Sequence, residues 1–550
     1  MAVMEGVGAR MASSTFGKPP RVSVVVIVFN DAERIATAVR SALSQGEAVA
    51  EVVVVDDAST DATPERLARL AAADSRVRVL TRTENSGGCG TPRNQGLSAA
   101  REQYVMLLDS DDVLPPDAAR TLLDTAVAER AEVVAGVCVR RELPAGTDSP
   151  WQRDLFPADG APPERYDGIG GRPEFLRDTL SVNKLYERDF LDRHQVRFAE
   201  GAVHYEDFVF TALLYSARPR LVAIADTVYL WHVRRAAGRQ SISLRRDEVR
   251  NWQDRVDAHT EVVRILLDAG QPELARAART KFVDHDLRMY VRELRHKPAG
   301  YRAEWWQIAR AHLSSFEPAA LAAATPAGRW VAELLLARPE PVTGAELRRM
   351  GELAANPPRL APPYPVDADG RPELAEGVPL TGLTELPPAQ LPLAVDGVVR
   401  LAASCAVRLR VHDAYGLVSA AEPVGAMLEL RTRVGPPLTI RYPLQLTAHP
   451  EDGWIATTSV DSFELRDVGE MTAWAMRVKV RYADGSRALT AVRSATPAKR
   501  HVVFRPPARI ALVQVYETGN GELGLRVADG VRGGWEVVRS RLRRALARRG

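Results

Sequence analysis

The sequence predicts an open, doubly wound α/β domain, then a helical connector, then an all-β domain of sandwich type. Three observations lead there. Continuous Val-rich runs alternate with amphipathic stretches between Val22 and Val137, apolar residues recur at helical spacing from Trp252 onward, and the pattern changes to period two beyond Pro392. With 550 residues the chain has room for about three or four domains. Its 46% hydrophobic and 26% charged residues are the ordinary balance of a globular protein.

The elements follow in order. VSVVVIVF is a strand, Ala32 to Leu43 a helix, EVVVV a strand, Pro64 to Leu70 a helix and VRVL a strand. A helix before Tyr104, the strand YVMLL, a helix after Pro115 and the strand EVVAGVCV complete the run. Uninterrupted apolar strands imply burial on both faces, hence a parallel sheet with helices on each side. Shorter elements fill Tyr166 to Val233. Trp252, Val256, His259, Val263 and Leu266 then mark a helix of the connector, which ends near Leu353. The Pro-rich stretch NPPRLAPPYP to ELPPAQLP reads as extended linker. Beyond it Val407, Leu409 and Val411 alternate with Arg408 and Arg410, and Asp484-Gly485 marks a hairpin. The resulting boundaries are a disordered N-terminus at 1–20, the α/β domain at 21–243, the connector at 244–355, the Pro-rich linker at 356–393, the β-sandwich at 394–530 and a basic tail at 531–550.

Charge and cysteine content narrow the classes. Lys and Arg number 73 against 70 Asp and Glu, so there is no chain-wide field for nucleic acid. The tail WEVVRSRLRRALARRG can form a basic amphipathic helix suited to peripheral contact with an anionic membrane, or serve as a solubilising end. Cys89, Cys138 and Cys405 are too few for a disulfide framework and too far apart for metal spacing, which points to a reducing cytoplasmic compartment. No signal-peptide core is visible, and no run approaches the ~18 apolar residues of a membrane span.

Carboxylates stand where strands should end. Val52–Val55 runs into Asp56-Asp57-Ala58-Ser59-Thr60-Asp61, and Val105–Leu108 into Asp109-Ser110-Asp111-Asp112. Ligands of open α/β sheets bind beyond the carboxyl ends of the strands, so both clusters should face one crevice. Packed carboxylates repel one another and are costly unless a cation or solvent compensates, and oxygen ligands with waters and phosphates suit Mg²⁺ or Mn²⁺. Helix capping is the competing explanation for either cluster alone.

Taken as an ordered series, VSVVVIVFN, VVVVDDASTD, ENSGGCGTPRNQGL, YVMLLDSDD, NKLYERDFL and HYEDFVF resemble glycosyltransferase family 2, the inverting enzymes with a GT-A nucleotide-sugar fold. The resemblance covers about residues 21–243. It implies that Asp57 and Arg93 contact the uracil of a UDP-sugar, that Asn85 lies beside the nucleotide, and that Asp109-Ser110-Asp111 is a DXD motif. Asp111 would then ligate the metal, with Asp109 toward the ribose. Arg235 and Arg239, in HVRRAAGRQSIS, resemble a basic loop that closes over the diphosphate; by charge pattern alone a solvated surface loop is the alternative. Asp207 of the Glu206-Asp207 pair resembles the base, with Glu206 supporting it; helix N-terminal charge is the alternative for that pair taken alone. Where the family usually reads Pro-Val-Tyr-Asn, this chain has Ile27-Val28-Phe29-Asn30, so Phe29 brings no phenolic hydroxyl to the nucleotide edge.

The order of helical connector and β domain is similar to bacterial wall teichoic acid β-glycosyltransferases, which move N-acetylglucosamine from UDP-GlcNAc to polyol-phosphate chains. That similarity implies a glycopolymer or lipid-linked acceptor, a place at the inner face of the plasma membrane, and a β domain that binds polymer or forms a homotrimer. Trp454 and Trp474 are candidates for sugar stacking, against the commoner role of core aromatics. Two other classes stay open: a nucleotidyltransferase, against which no Gly-rich, Lys-containing phosphate loop follows the first strand, and a non-catalytic polysaccharide-binding protein.

Overall fold

The computed structural model describes residues 19–143, 146–234, 246–433, 438–450, 453–466, 471–495, 499–505 and 509–529. The N-terminal domain is built on β1 (Val22–Val28), β2 (Val49–Asp56), β3 (Val77–Thr81), β4 (Tyr104–Asp109), β5 (Val133–Glu142), β6 (Thr147–Trp151), β7 (Glu164–Asp167), β8 (Lys184–Glu187) and β9 (Arg220–Val233). Their order in the sheet is β3-β2-β1-β4-β8-β5-β9-β7, with β6 beside β5. Strands β3, β2, β1 and β4 are mutually parallel, β8 runs antiparallel between β4 and β5, and β9 returns parallel to β5. All seven residues of β1 are buried, as an apolar run in a central strand requires. Helix α1 (Ile35–Leu43) buries Ile35, Ala38, Val39 and Ala42 on one stripe, and α2 (Thr63–Ala73) carries Pro64 in its first turn. Helices α3 (Gly90–Ala99), α4 (Ala118–Glu129), α5 (Arg188–Arg193) and α6 (Glu206–Ser216) complete the layers.

The chain winds one way from β1 to β3 and then returns to place β4 on the other side of β1. This is a topological switch point, where a crevice opens beyond the strand ends. Register puts Val28 opposite Asp56 and Ile27 opposite Asp109, so three adjacent strands deliver their polar ends in one row.

The connector begins with α7 (Val249–Asp268) and α8 (Pro272–Lys281), passes through a π-helical stretch (Phe282–Leu287), and continues through α9 (Arg288–Leu294), α10 (Ala299–Leu313), α11 (Pro318–Ala322), α12 (Pro326–Ala337) and α13 (Gly344–Leu353). Its core gathers Trp252, Trp305, Trp306 and Trp330, all essentially unexposed. Residues of the Pro-rich stretch, among them Leu360, Leu374, Leu380 and Leu383, pack into the same core, and the short hairpin β10 (Glu373–Ala375) and β11 (Val378–Pro379) lies within it.

The C-terminal domain corrects the expectation of a sandwich. Strands β12 (Val395–Arg400), β13 (Ser404–Val411), β14 (Pro423–Thr432), β15 (Thr439–His449), β16 (Gly453–Asp461), β17 (Met471–Tyr482) and β18 (Arg487–Ser494) pair in the order β14-β15-β16-β13-β12-β18-β17. Nine residue pairs between β14 and β17 close this seven-stranded ring into a barrel. Closure leaves none of the seven as an open edge, which two stacked sheets would have. Period two is common to both architectures, because in each every second side chain faces the core. The N-terminal part of β17 also pairs with β21 (Leu523–Asp529), which continues through β20 (Arg509–Glu517) to β19 (Lys499–Arg505). Trp474 is fully buried in the barrel core with its indole donating to Leu465 O at 3.1 Å, so it is not a sugar platform. Trp454 is half-buried and donates to Ser419 Oγ at 3.0 Å.

Candidate active site

The crevice is assembled around Arg93, which the resemblance assigned to the uracil and which the structure instead sets among three carboxylates. This side chain rises from the first turn of α3, is only 3% exposed, and has its guanidinium 5.1 Å from the centroid of the Phe198 ring. One nitrogen donates to Asp109 Oδ1 at 2.9 Å; another donates to Glu206 Oε1 and Asp207 Oδ1, each at 2.9 Å. The strand-end carboxylate and the Glu-Asp pair, about a hundred residues apart in sequence, thus share one cation. Its third nitrogen, Nε, is buried without a hydrogen-bond partner among the described residues.

Local sequence explains how α3 reaches that position. Asn94 accepts from Phe198 N at 2.9 Å and donates to Phe198 O at 2.9 Å, while Thr91 Oγ accepts from Gly201 N at 3.1 Å. Glycines in the ENSGGCG segment allow the approach: a Cβ on Gly88 would stand 2.3 Å from Gly201 O, and one on Gly90 1.9 Å from Ala199 O. The stapled loop leads into Tyr205, at φ 62°, and α6 then begins with Glu206 and Asp207 in its first turn.

Three carboxylates around one guanidinium leave negative charge in excess. Burial, then Asp207, push Glu206 up to about 7; burial also raises Asp207, opposed by Arg93 and by the Ser181 hydroxyl. The two titrate as a pair. Asp111 is raised by burial and by Asp109, against the attraction of Arg34, whose guanidinium lies 3.3 Å away. Arg34 also pairs with Asp31 at 2.5 Å, and Asp31 accepts from Ser110 Oγ at 2.6 Å. Asp112 is buried and structural: it accepts from Tyr229 OH at 2.7 Å and from His232 N at 2.8 Å, which ties the end of β4 to β9.

The other expected residues occupy the same rim. Asp57 is buried and pairs with Arg82 at 2.8 Å. It also accepts from Asn85 Nδ2 at 2.9 Å and Ser86 Oγ at 2.8 Å, so Asn85 and Asp57 do lie together. Phe29 is half-buried at the end of β1, and the next residue, Asn30, accepts from Thr60 N at 2.7 Å. Arg235 and Arg239, like the basic tail, lie outside the described residues. Ser181, Lys184, Asp31 and Arg34 were not singled out by pattern. For Lys184 a signal exists in the NKLY segment; for Asp31 and Arg34 nothing in periodicity or motif distinguishes them.

Among the described residues no group of three or more His, Cys, Asp or Glu forms a metal cage. The donor chemistry still fits a hard divalent ion bound through one or two carboxylates and substrate phosphates. Asp111 is a carboxylate oxygen donor with a 40% exposed side chain, in a crevice that is short of positive charge among the described residues. No helix among the described residues is long and apolar enough to cross a membrane.

Comparison with known proteins bears on the fold that carries this crevice. Residues 23–194 match the family model "Glycosyl transferase family 2". The chain is 34% identical over 226 residues to the succinoglycan biosynthesis protein ExoO of Rhizobium meliloti, covering 40% of this chain and 62% of ExoO. It is 26% identical over 193 residues to the poly(ribitol-phosphate) beta-N-acetylglucosaminyltransferase TarP of Staphylococcus aureus, covering 35% of this chain and 56% of TarP. The chain thus spans less than two thirds of the length of either relative. The crystal structure of S. aureus TarS shares the fold at a TM-score of 0.51 and 17% identity, over 93% of this chain and 85% of TarS. Residues 23–194 therefore carry the match to the glycosyl transferase family 2 model, and the chain is similar at low identity to bacterial proteins of cell-envelope polymer synthesis.

Proposed function

We propose that the protein is an inverting glycosyltransferase that moves a sugar, GlcNAc in the leading reading, from a UDP-sugar to a hydroxyl of a cell-envelope glycopolymer such as teichoic acid. The observation that carries this is the Arg93 bridge, which sets the Asp109 strand end and the Glu206–Asp207 pair in one crevice at the switch point of the sheet. TarP, named for GlcNAc transfer to poly(ribitol-phosphate), supports the choice of donor and acceptor.

In this reading Asp207 takes the proton of the acceptor hydroxyl as that oxygen attacks the anomeric carbon, and the bond to the diphosphate breaks on the opposite face. A base raised by burial holds that proton better than a solvated aspartate would, and Arg93 keeps enough of it ionised to accept one. Glu206 shares the Arg93 nitrogen and supports the pair. Asp57, Asn85 and Phe29 form the nucleotide edge, with Arg235 and Arg239 assigned to the diphosphate by sequence alone. A Mn²⁺ or Mg²⁺ ion held by Asp111, with Asp109 beside it, would supply Lewis-acid neutralisation of the departing diphosphate.

A donor screen tests the proposal. UDP, GDP, CDP and dTDP release from their sugar conjugates is measured with and without Mn²⁺, with nucleotide binding read in the same samples. Metal-dependent UDP release, strongest with UDP-GlcNAc and lost in Asp111→Ala, is the expected result. Absence of any nucleotide binding would overturn it.

A further inference from the structure

Ser181 lies outside both acidic clusters, yet its hydroxyl donates to Asp207 Oδ1 at 2.7 Å. The same oxygen accepts from Arg93 at 2.9 Å, and Oδ2 has no hydrogen-bond partner among the described residues. The χ2 torsion of an aspartate is broad. One bond to Oδ1 leaves the plane of the carboxylate free to turn; a second donor from another direction removes that freedom.

The serine is itself held on both sides. Tyr186 OH donates to Ser181 O at 2.6 Å, and Lys184 Nζ donates to the preceding carbonyl, Leu180 O, at 2.5 Å. Lys184 also donates to Asn183 Oδ1 at 2.9 Å and pairs with Asp178 at 2.7 Å, both side chains of that pair being unexposed. A buried ion pair is a poor source of stability, because desolvation offsets its attraction. What this one does visibly is fix the turn that aims Ser181.

We infer that Ser181 is a positioning residue: it fixes the Asp207 carboxylate through Oδ1 so that Oδ2 is presented to the acceptor hydroxyl, with Asp178, Lys184 and Tyr186 as its frame. The inference rests on Asp207 being the base. In the transfer, the acceptor proton passes to Oδ2 while the acceptor oxygen bonds to the anomeric carbon and the diphosphate leaves with the electrons of the broken C–O bond. The charged and titratable groups facing Asp207 are Arg93 from α3 and Cys89 just before that helix, Asp109 from β4, Lys184 and Tyr186 from β8, and Glu206 on its own helix. Ser181 favours the ionised carboxylate, so its removal raises the protonation midpoint.

The test is a ¹³C-carboxyl NMR titration of the full chain, with the Asp207 resonance assigned by its loss in Asp207→Asn. In Ser181→Ala the Asp207 midpoint should rise by about one pH unit, the scale of a hydrogen bond to a charged group. Turnover of UDP-GlcNAc should fall about tenfold, the same fold-change, at unchanged donor KM, with its acid limb moved to higher pH. Ser181→Thr, which keeps the hydroxyl, should restore both. Ser181→Cys, which keeps the volume with a weaker donor, replaces Ser181→Ala if the latter lowers the unfolding midpoint. An unmoved Asp207 midpoint overturns the inference. Full turnover by Asp207→Asn overturns the base assignment and this inference together, whereas an inert Asp207→Asn beside a wild-type Ser181→Ala overturns this inference alone.

Discussion

The crevice and the connector handle buried charge in opposite ways. In the crevice, Asp109, Glu206 and Asp207 surround the single cation Arg93, and both members of the Glu-Asp pair are pushed upward. In the connector, Asp286 lies between Arg255 and Lys281, and its carboxyl is held far below the usual range by those two cations. The connector's charges are satisfied internally and serve packing. Those of the crevice are, among the described residues, left short of positive charge, as a site that receives a cation, a proton or both would be. The two regions touch: Tyr205, at the turn into α6, donates to Asn251 Oδ1 at 3.0 Å on α7, and the Arg255 guanidinium lies 4.8 Å from the centroid of the Tyr205 ring.

Substitutions sharpen this contrast. Arg93→Met removes the guanidinium that the three crevice carboxylates share. It should abolish transfer and move any residual activity to higher pH, and breaking a buried charge cluster should cost about 3–5 kcal/mol, read by denaturant unfolding. Asp286→Asn should lose a similar amount, about 3–5 kcal/mol, by leaving Arg255 and Lys281 without their carboxylate, yet keep UDP binding. Loss of UDP affinity in Asp286→Asn at temperatures where the protein stays folded would break the distinction between the regions.

Acidification should act on the two regions with opposite sign. Burial lowers His259 to about 3 and His312 and His285 to about 4, so between pH 6.5 and 4 the unfolded chain binds protons that the folded connector does not. Connector stability therefore falls as pH drops from 6.5, by on the order of 2 kcal/mol per buried histidine at pH 5. Glu206, raised to about 7, binds its proton in the folded state first, so its cost to the fold is relieved as pH falls through 7. Hydrogen exchange at pH 7 and pH 5 should show connector amides losing protection while α6 does not. The smallest effect is expected for Tyr205→Phe, which loses the hydroxyl link to Asn251 and Tyr290 at a cost of about 1 kcal/mol. Its unfolding midpoint should fall slightly with donor KM unchanged.

How much of this was legible in the sequence varies with the range of the interaction. The parallel sheet was readable because β1 and β2 are apolar without alternation, and the strand-end aspartates because they follow those runs directly. The barrel was not: alternation fixes which residues of β14 and β17 face inward, while closure depends on which strands meet after long loops. Asp109, Asp111, Glu206 and Asp207 were found as residue types in series, but the meeting of Glu206 and Asp207 with Asp109 on Arg93 includes contacts across 113 and 114 residues that no local pattern encodes. Asp112 looked equivalent to its neighbours in the acidic run, and only the approach of Tyr229 and His232 separates it from them.

The most direct test of the central claim compares wild type with Asp207→Asn, measuring UDP affinity and UDP release from UDP-GlcNAc with a poly(ribitol-phosphate) acceptor and Mn²⁺. The account predicts unchanged UDP affinity and a release rate lower by about 10²–10⁴-fold, the usual contribution of a positioned base. Undiminished release by Asp207→Asn would contradict it.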